Sequence, residues 1–220
     1  MNTKLGHIQE RKLREAHARR EHIIDVLKDL IKKGGARAVS IRKVAEAAGF
    51  STTVVYALFR DKATLITQAM DKDLLELVRL MRDAGAASAD PWERIKQAGR
   101  AYVQFGLLHP DEYALVFMER RPHSLVAAAR VEHGNVEQDP YAYAHSLFLD
   151  LAASGQVRAD AAAVHGMTKV FWHALHGMLS LHINIGEGDT WTPYLPLNQH
   201  LEDVLEVITG GIRLRFKPLQ

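Results

Sequence analysis

Residues 40–62 read SIRKVAEAAGFSTTVVYALFRDK, and this stretch decides the fold. Ser40 is a good N-cap, because its hydroxyl can accept from an unpaired N–H of a first helical turn. Ile41, Val44, Ala45 and Ala48 follow at the i, i+3, i+4, i+7 spacing of one buried helix face. Ala45 is small where two helices must approach closely, and Gly49 permits a turn that a Cβ would resist. Ser51 caps a second short helix. Spaced at 100° per residue, Val55, Leu58 and Phe59 fall on one side of it, with Val54 at the border. Thr52, Thr53, Tyr56 and Ala57 fall on the other. Hydroxyls suit phosphate oxygens and base edges, and small apolar groups suit thymine methyls. Asp61 caps the next helix and places Lys62 in its first turn, where N–H groups and an ammonium can hold one phosphate. The pattern is that of a helix-turn-helix whose second helix enters the major groove of DNA.

The bulk composition agrees with such a reader attached to something larger. The chain has 220 residues, 47% hydrophobic and 25% charged, which is ordinary for a globular protein with a real core. It has no cysteine, which excludes disulfides, thiol nucleophiles and cysteine metal sites and is compatible with a reducing cytoplasm. The N-terminus lacks the apolar core of a secretory signal, and no apolar run is long enough to span a membrane. The net charge of +2 hides an asymmetry: residues 1–65 carry 14 Lys+Arg against 7 Asp+Glu (+7), and residues 66–220 carry 14 against 19 (−5). A basic first third on an acidic remainder is expected when only the first part meets a polyanion.

Every other segment reads as helix or loop, so the fold class is all-α: a three-helix helix-turn-helix domain over 1–65 and a larger helical domain over 66–220. The first helix spans 4–33. Its firm stripe is Ile23, Val26, Leu27, Leu30 and Ile31, and Gly34-Gly35 ends it. Arg11, Lys12, Arg14, Arg19 and Arg20 precede that stripe; the first dozen residues are either a loose basic arm on phosphates or a solvated helix start. Helices are predicted over 63–84, from Asp90-Pro91 to 108, over 109–120, 141–154, 160–185 and 197–216. Residues 121–140 read as a loop or a short irregular helix, and GEGDTWTPYLP as a flexible loop.

The series S-I-R-x-V-A-x-A-A-G-F-S-x-x-x-V-Y-x-x-F-x-D-K-x-x-L resembles the N-terminal domain of the TetR family of bacterial transcriptional regulators. The residues that carry the likeness are Val44, Ala45, Ala48, Gly49, Val55, Tyr56, Phe59, Lys62 and Leu65. The resemblance implies a homodimer on double-stranded DNA, with release when a small molecule binds the second domain. On that pattern Tyr56 and Lys62 are phosphate contacts, Thr52, Thr53 and Val54 face bases, and Ser40 and Arg42 complete the DNA-facing set. Thr53 stands where the family often has glycine, and Leu58 where it often has an aromatic or histidine, so no operator sequence carries over. His109-Pro110 with Tyr113 and Phe117, followed by Trp172, His176 and Gly177, resembles the C-terminal subclass named for its Trp–His–Gly residues. Two helices per subunit then form a four-helix dimer contact. The best matches are 160–185 and 197–216, with Phe171, Leu175, Met178, Leu201, Leu205 and Ile208 as the expected interface.

Other chemistries are weakly supported. His173, His176 and His182 share one predicted helix, but no carboxylate falls within a turn of the first pair, and no metal or other cofactor is expected. No nucleophile–base set, productive carboxylate pair or glycine-rich phosphate loop is present, so no enzyme is read. Tyr102, Phe105, Tyr113, Phe117, Trp172 and His176 are the candidates for lining a largely apolar effector cavity, each also suited to plain core. The competing functions are a constitutive DNA-binding protein with a structural dimer module, and a metal-dependent sensor.

Overall fold

A computed structural model describes residues 2–35, 38–118, 131–185, 190–191, 193 and 195–218. Among these there are nine helices and no strand. The helices are α1 (Asn2–Gly34), α2 (Ile41–Ala47), α3 (Thr52–Leu58), α4 (Lys62–Gly85), α5 (Pro91–Leu108), α6 (Pro110–Phe117), α7 (Pro140–Ala153), α8 (Ala161–Ile185) and α9 (Leu197–Arg215). The ambiguous stretch predicted over 121–140 lies outside the described residues up to 130, and 131–139 forms turns without a helix. The chain divides into two compact units: residues 1–73 with 114–130, and residues 74–113 with 131–220. The division falls within α4, whereas the sequence places it at 65/66.

The helix boundaries follow from local chemistry. Ser40 Oγ accepts from Lys43 N at 3.3 Å, Ser51 Oγ from Val54 N at 3.3 Å, and Asp61 Oδ1 from Thr64 N at 2.7 Å. Each of these caps satisfies an orphan donor of a first turn. That same bond to Thr64 holds the Asp61 carboxyl below its usual range. Gly49 has φ +72°, the left-handed conformation that the tight turn between α2 and α3 requires. Asp90 caps α5 through Trp92 N. Glu93, three residues on, does not reach back to close a capping box: Arg100, Lys96 and Gln97 take its carboxylate instead.

In the first unit the core is Ile23 and Leu27 of α1, Val44 of α2, Val55, Phe59 and Leu65, all with no exposed surface. Polar contacts fix α4 to α1: Lys72 Nζ pairs with Glu21 and Asp25 at 3.1 and 3.0 Å, Arg20 donates to Gln68, and Lys28 pairs with Asp73. Arg20 also lies over the Phe59 ring, 4.7 Å from its centroid.

In the second unit α5 packs against α7, α8 and α9. Gly99 makes this approach possible. A Cβ there would lie 2.8 Å from Phe171 Cζ, 3.0 Å from Leu175 Cδ1 and 3.1 Å from Leu205 Cδ2. The Arg100 fork grips both carboxylate oxygens of Glu202 at 2.7 Å, joining α5 to α9 on the same side.

This packing buries most of the side chains expected at a dimer face. Phe171, Leu175, Leu201 and Leu205 are 5%, 1%, 8% and 0% exposed within a single protomer, so they have almost no area left to bury on a partner. Met178 and Ile208 are half-buried. The apolar side chains that α8 and α9 leave uncovered are Val170 and Leu181, 56% and 58% exposed, and Val207 and Leu214, 73% and 79% exposed.

Candidate functional site

The α2–α3 pair presents the surface that its sequence implies. Val55 and Phe59 are buried, Val54 and Leu58 half-buried, and Thr52, Thr53 and Ala57 exposed. Tyr56 is 54% exposed, a large ring held out in solvent by a helix whose other face is locked in the core. Ser40 and Arg42 are exposed at the start of α2. Seven residues are too few for α3 to be stable alone, so its orientation comes from Val55 and Phe59 packed beneath it.

Lys62 does more than its sequence position suggests. Its ammonium, at the first residue of α4, donates to the Val39 carbonyl at 2.5 Å. Lys43 Nζ donates to the neighbouring Ala38 carbonyl at 2.8 Å. The two lysines thus secure the segment that leads into Ser40. Periodicity could not reveal the Lys62 tie, since it joins residues 23 positions apart.

Tyr102, Tyr113, Trp172 and His176 come together from α5, α6 and α8. Phe105 is buried beside His109, with ring centroids 5.1 Å apart, and Phe117 belongs to the other unit. The four that meet are hydrogen-bonded in series. Trp172 Nε1 donates to Tyr102 Oη at 3.1 Å, the two tyrosine hydroxyls are 2.7 Å apart, and Tyr113 Oη lies 2.6 Å from His176 Nδ1. An indole N–H can only donate, so Tyr102 accepts from it. In the tautomer of neutral His176 that carries its proton on Nε2, the protons run one way: Tyr102 donates to Tyr113, and Tyr113 donates to His176 Nδ1. The cluster is therefore polar where the sequence suggests a mostly apolar wall.

Burial sets the ionisation of this series. It pushes the Tyr102 hydroxyl up to about 12 and Tyr113 up as well. It lowers His176, with the nearby His173 lowering it further. A second ring group, unread from the sequence, lies on α7 and α8. His145 stacks on His165 at 4.0 Å between centroids, and Tyr141 Oη lies 3.1 Å from His165 Nδ1. Among the described residues His145 Nε2 is buried without a hydrogen-bond partner, and burial followed by the His165 charge lowers its pKa. The available signal was the i, i+4 pairing of Tyr141 and His145.

Both histidines are depressed in the folded state, so the unfolded chain binds more protons once pH falls below their ordinary value near 6.5. Stability present at neutral pH is then lost from about pH 6.5 downward, until the folded-state values are reached. Thermal unfolding between about pH 7 and pH 5 should show a falling midpoint above the range in which carboxylates titrate. His176→Gln keeps an acceptor but does not titrate, and should flatten that fall. An unchanged pH dependence in the variant would remove His176 from the account.

The fold and the α2–α3 surface are those of a DNA-binding regulator, and the comparisons give the class. Residues 23–69 match the family model described as bacterial regulatory proteins, tetR family. Residues 95–192 match the model described as tetracyclin repressor-like, C-terminal domain. The chain belongs to the TetR family of transcription regulators, which are not enzymes. A protein of unknown function from Rhodococcus sp. RHA1 has the same fold, with TM-score 0.69 at 18% identity over 89% of this chain and 95% of that one. A TetR family transcription regulator from Marinobacter aquaeolei VT8 superposes with TM-score 0.64 at 14% identity over 92% and 98%. The fatty acid degradation regulator FadR from Bacillus halodurans does so with 0.68 at 16% over 88% and 96%. No curated protein matches. Among the described residues, no helix is long and apolar enough to cross a membrane.

Proposed function

We infer that the protein is a cytoplasmic, effector-responsive repressor that binds a palindromic operator as a homodimer. The observation that carries the DNA half of this reading is the division of α3, with Val55 and Phe59 in the core and Thr52, Thr53 and Tyr56 in solvent. Thr52, Thr53 and Val54 read bases, while Tyr56 and Lys62 grip phosphates and Ser40 and Arg42 support them from α2. Two such heads meet successive major-groove faces about 34–36 Å apart, or a multiple of that.

The dimer forms through α8 and α9. Gly166, Val170, Gly177 and Leu181 share one outer face of α8, and Val207, Gly210, Gly211 and Leu214 share one of α9. All four glycines have open space where a side chain would stand, so a partner helix can come close. The effector is a small molecule held at the Tyr102–Tyr113–His176–Trp172 cluster, where Tyr113, Trp172 and His176 of the Trp–His–Gly pattern meet. It lowers operator occupancy only to the extent that it binds the DNA-incompatible state more tightly.

The test uses two variants of the full chain. Tyr56→Phe removes a phosphate donor and should weaken binding to all duplexes alike, by roughly tenfold for a bond to a charged group. Thr53→Ala should instead change which operator bases are preferred. A shift in base preference for Tyr56→Phe, or none for Thr53→Ala, would reverse these assignments.

A further inference from the structure

The family model begins at residue 23, but α1 begins at Asn2. Residues 2–19 prolong the helix by about 27 Å at ~1.5 Å per residue, the length of about eight base pairs at ~3.4 Å each. Among the described side chains of this half none belongs to the core, whose described α1 members are Ile23, Ile24, Leu27 and Ile31. Leu13, on the continuation of that apolar face, is 67% exposed. The helix leaves the reading head beside the start of α3. The His22 ring stands edge-on to Phe50, 6.0 Å between centroids, and Phe50 immediately precedes the Ser51 cap.

The surface of this extension is basic. Arg11, Lys12, Arg14 and Arg19 are all exposed and fall within about half of the helix circumference, counted at 3.6 residues per turn. Arg11 is answered by Glu15 at 3.5 Å. Among the described residues no carboxylate pairs with Lys12, Arg14 or Arg19. Three uncompensated cations on a helix of this length cost self-repulsion that an adjacent polyanion relieves.

We propose that residues 7–19 of α1 form a rigid basic arm that lies along the phosphate backbone flanking the operator half-site. The proposal rests on the DNA-binding reading and extends the footprint beyond the helix-turn-helix. The occupant is duplex DNA, because the arm is continuous with the head that meets DNA and is opposite to it in charge. Its contacts are to phosphates and carry no sequence information.

The experiment compares the unaltered full chain with Lys12→Gln/Arg14→Gln/Arg19→Gln on mixed-sequence duplexes of roughly 40 and roughly 16 base pairs, about four and one and a half helical turns. These positions are exposed, so the variant should fold as the parent does. On the long duplex, the slope of log K against log salt should become shallower by about 2.7 per protomer, three contacts at ~0.9 each. On the short duplex the change should be much smaller. Arg14→Lys and Arg19→Lys should keep the parental slope. An unchanged slope on the long duplex, or an equal loss on both lengths, would overturn the arm. Charge-dependent binding to phosphatidylserine vesicles without any change on DNA would assign the cations to a membrane surface instead. If the unaltered chain fails to bind duplex DNA at all, both the arm and the DNA-binding reading fall; failure of the arm alone shows only in the variant.

Discussion

Val207→Asp should convert the protein into folded monomers, whereas Leu205→Asp should unfold it. The two positions are two residues apart on α9, yet Leu205 is 0% exposed and Val207 73%. A charge at Leu205 enters the protomer's own core beneath α5, where it has no partner and no water, and the fold does not tolerate it. At Val207 the same charge is solvated in the monomer and is buried only when a second copy covers it. Two-fold symmetry then brings in two like charges. If association loses about 4 kcal/mol through an uncompensated buried charge, the dimer weakens roughly a thousandfold. If the operator is bound by two heads, as proposed, its binding should fall as well. Sedimentation and far-ultraviolet dichroism decide the matter. An intact Val207→Asp dimer would refute the α8–α9 interface, and a folded Leu205→Asp protein would refute the core assignment.

The second large effect is expected at Lys28. Its ammonium pairs with Asp73, whose side chain is 4% exposed against 17% for the lysine. Lys28→Met leaves that carboxylate in place without its cation, and breaking one side of a buried pair costs about 3–5 kcal/mol. Lys28→Met/Asp73→Leu removes both charges and should recover most of the loss, because an apolar pair needs no desolvation. Denaturant titration of the parent, the single and the double variant gives the comparison. A single variant within about 0.5 kcal/mol of the parent, the range of a neutral surface change, would mean that the pair does not hold α4 to α1.

The contrast between Leu205 and Val207 also marks how far the sequence can be read. The caps at Ser40, Ser51 and Asp61, the turn at Gly49 and the inner face of α2 and α3 are encoded within a few residues of where they act, and all are legible. Periodicity identifies an apolar face, but it does not say what covers that face. On α8 and α9 it marks Phe171, Leu175 and Leu205 as apolar and leaves open whether α5 or a second subunit buries them. The deciding residue is Gly99, more than 70 positions away, whose missing side chain lets both helices settle on α5. The Tyr102–Tyr113–His176 series was hidden for the same reason, since its members lie on three helices and each alone suits a core. Lys62 could be placed at a helix start, but its bond to Val39 depends on how the start of α4 meets the segment before α2.

The most direct test of the account is to select genomic duplex fragments with the unaltered full-length protein, at a salt concentration that suppresses non-specific binding. The account predicts enrichment of a pseudo-palindromic site, with half-sites one helical turn or a multiple apart, about 34–36 Å per turn. Its central bases should tolerate change better than those facing Thr52 and Thr53. Recovery of fragments with no shared sequence, or of no fragments above background, would contradict it.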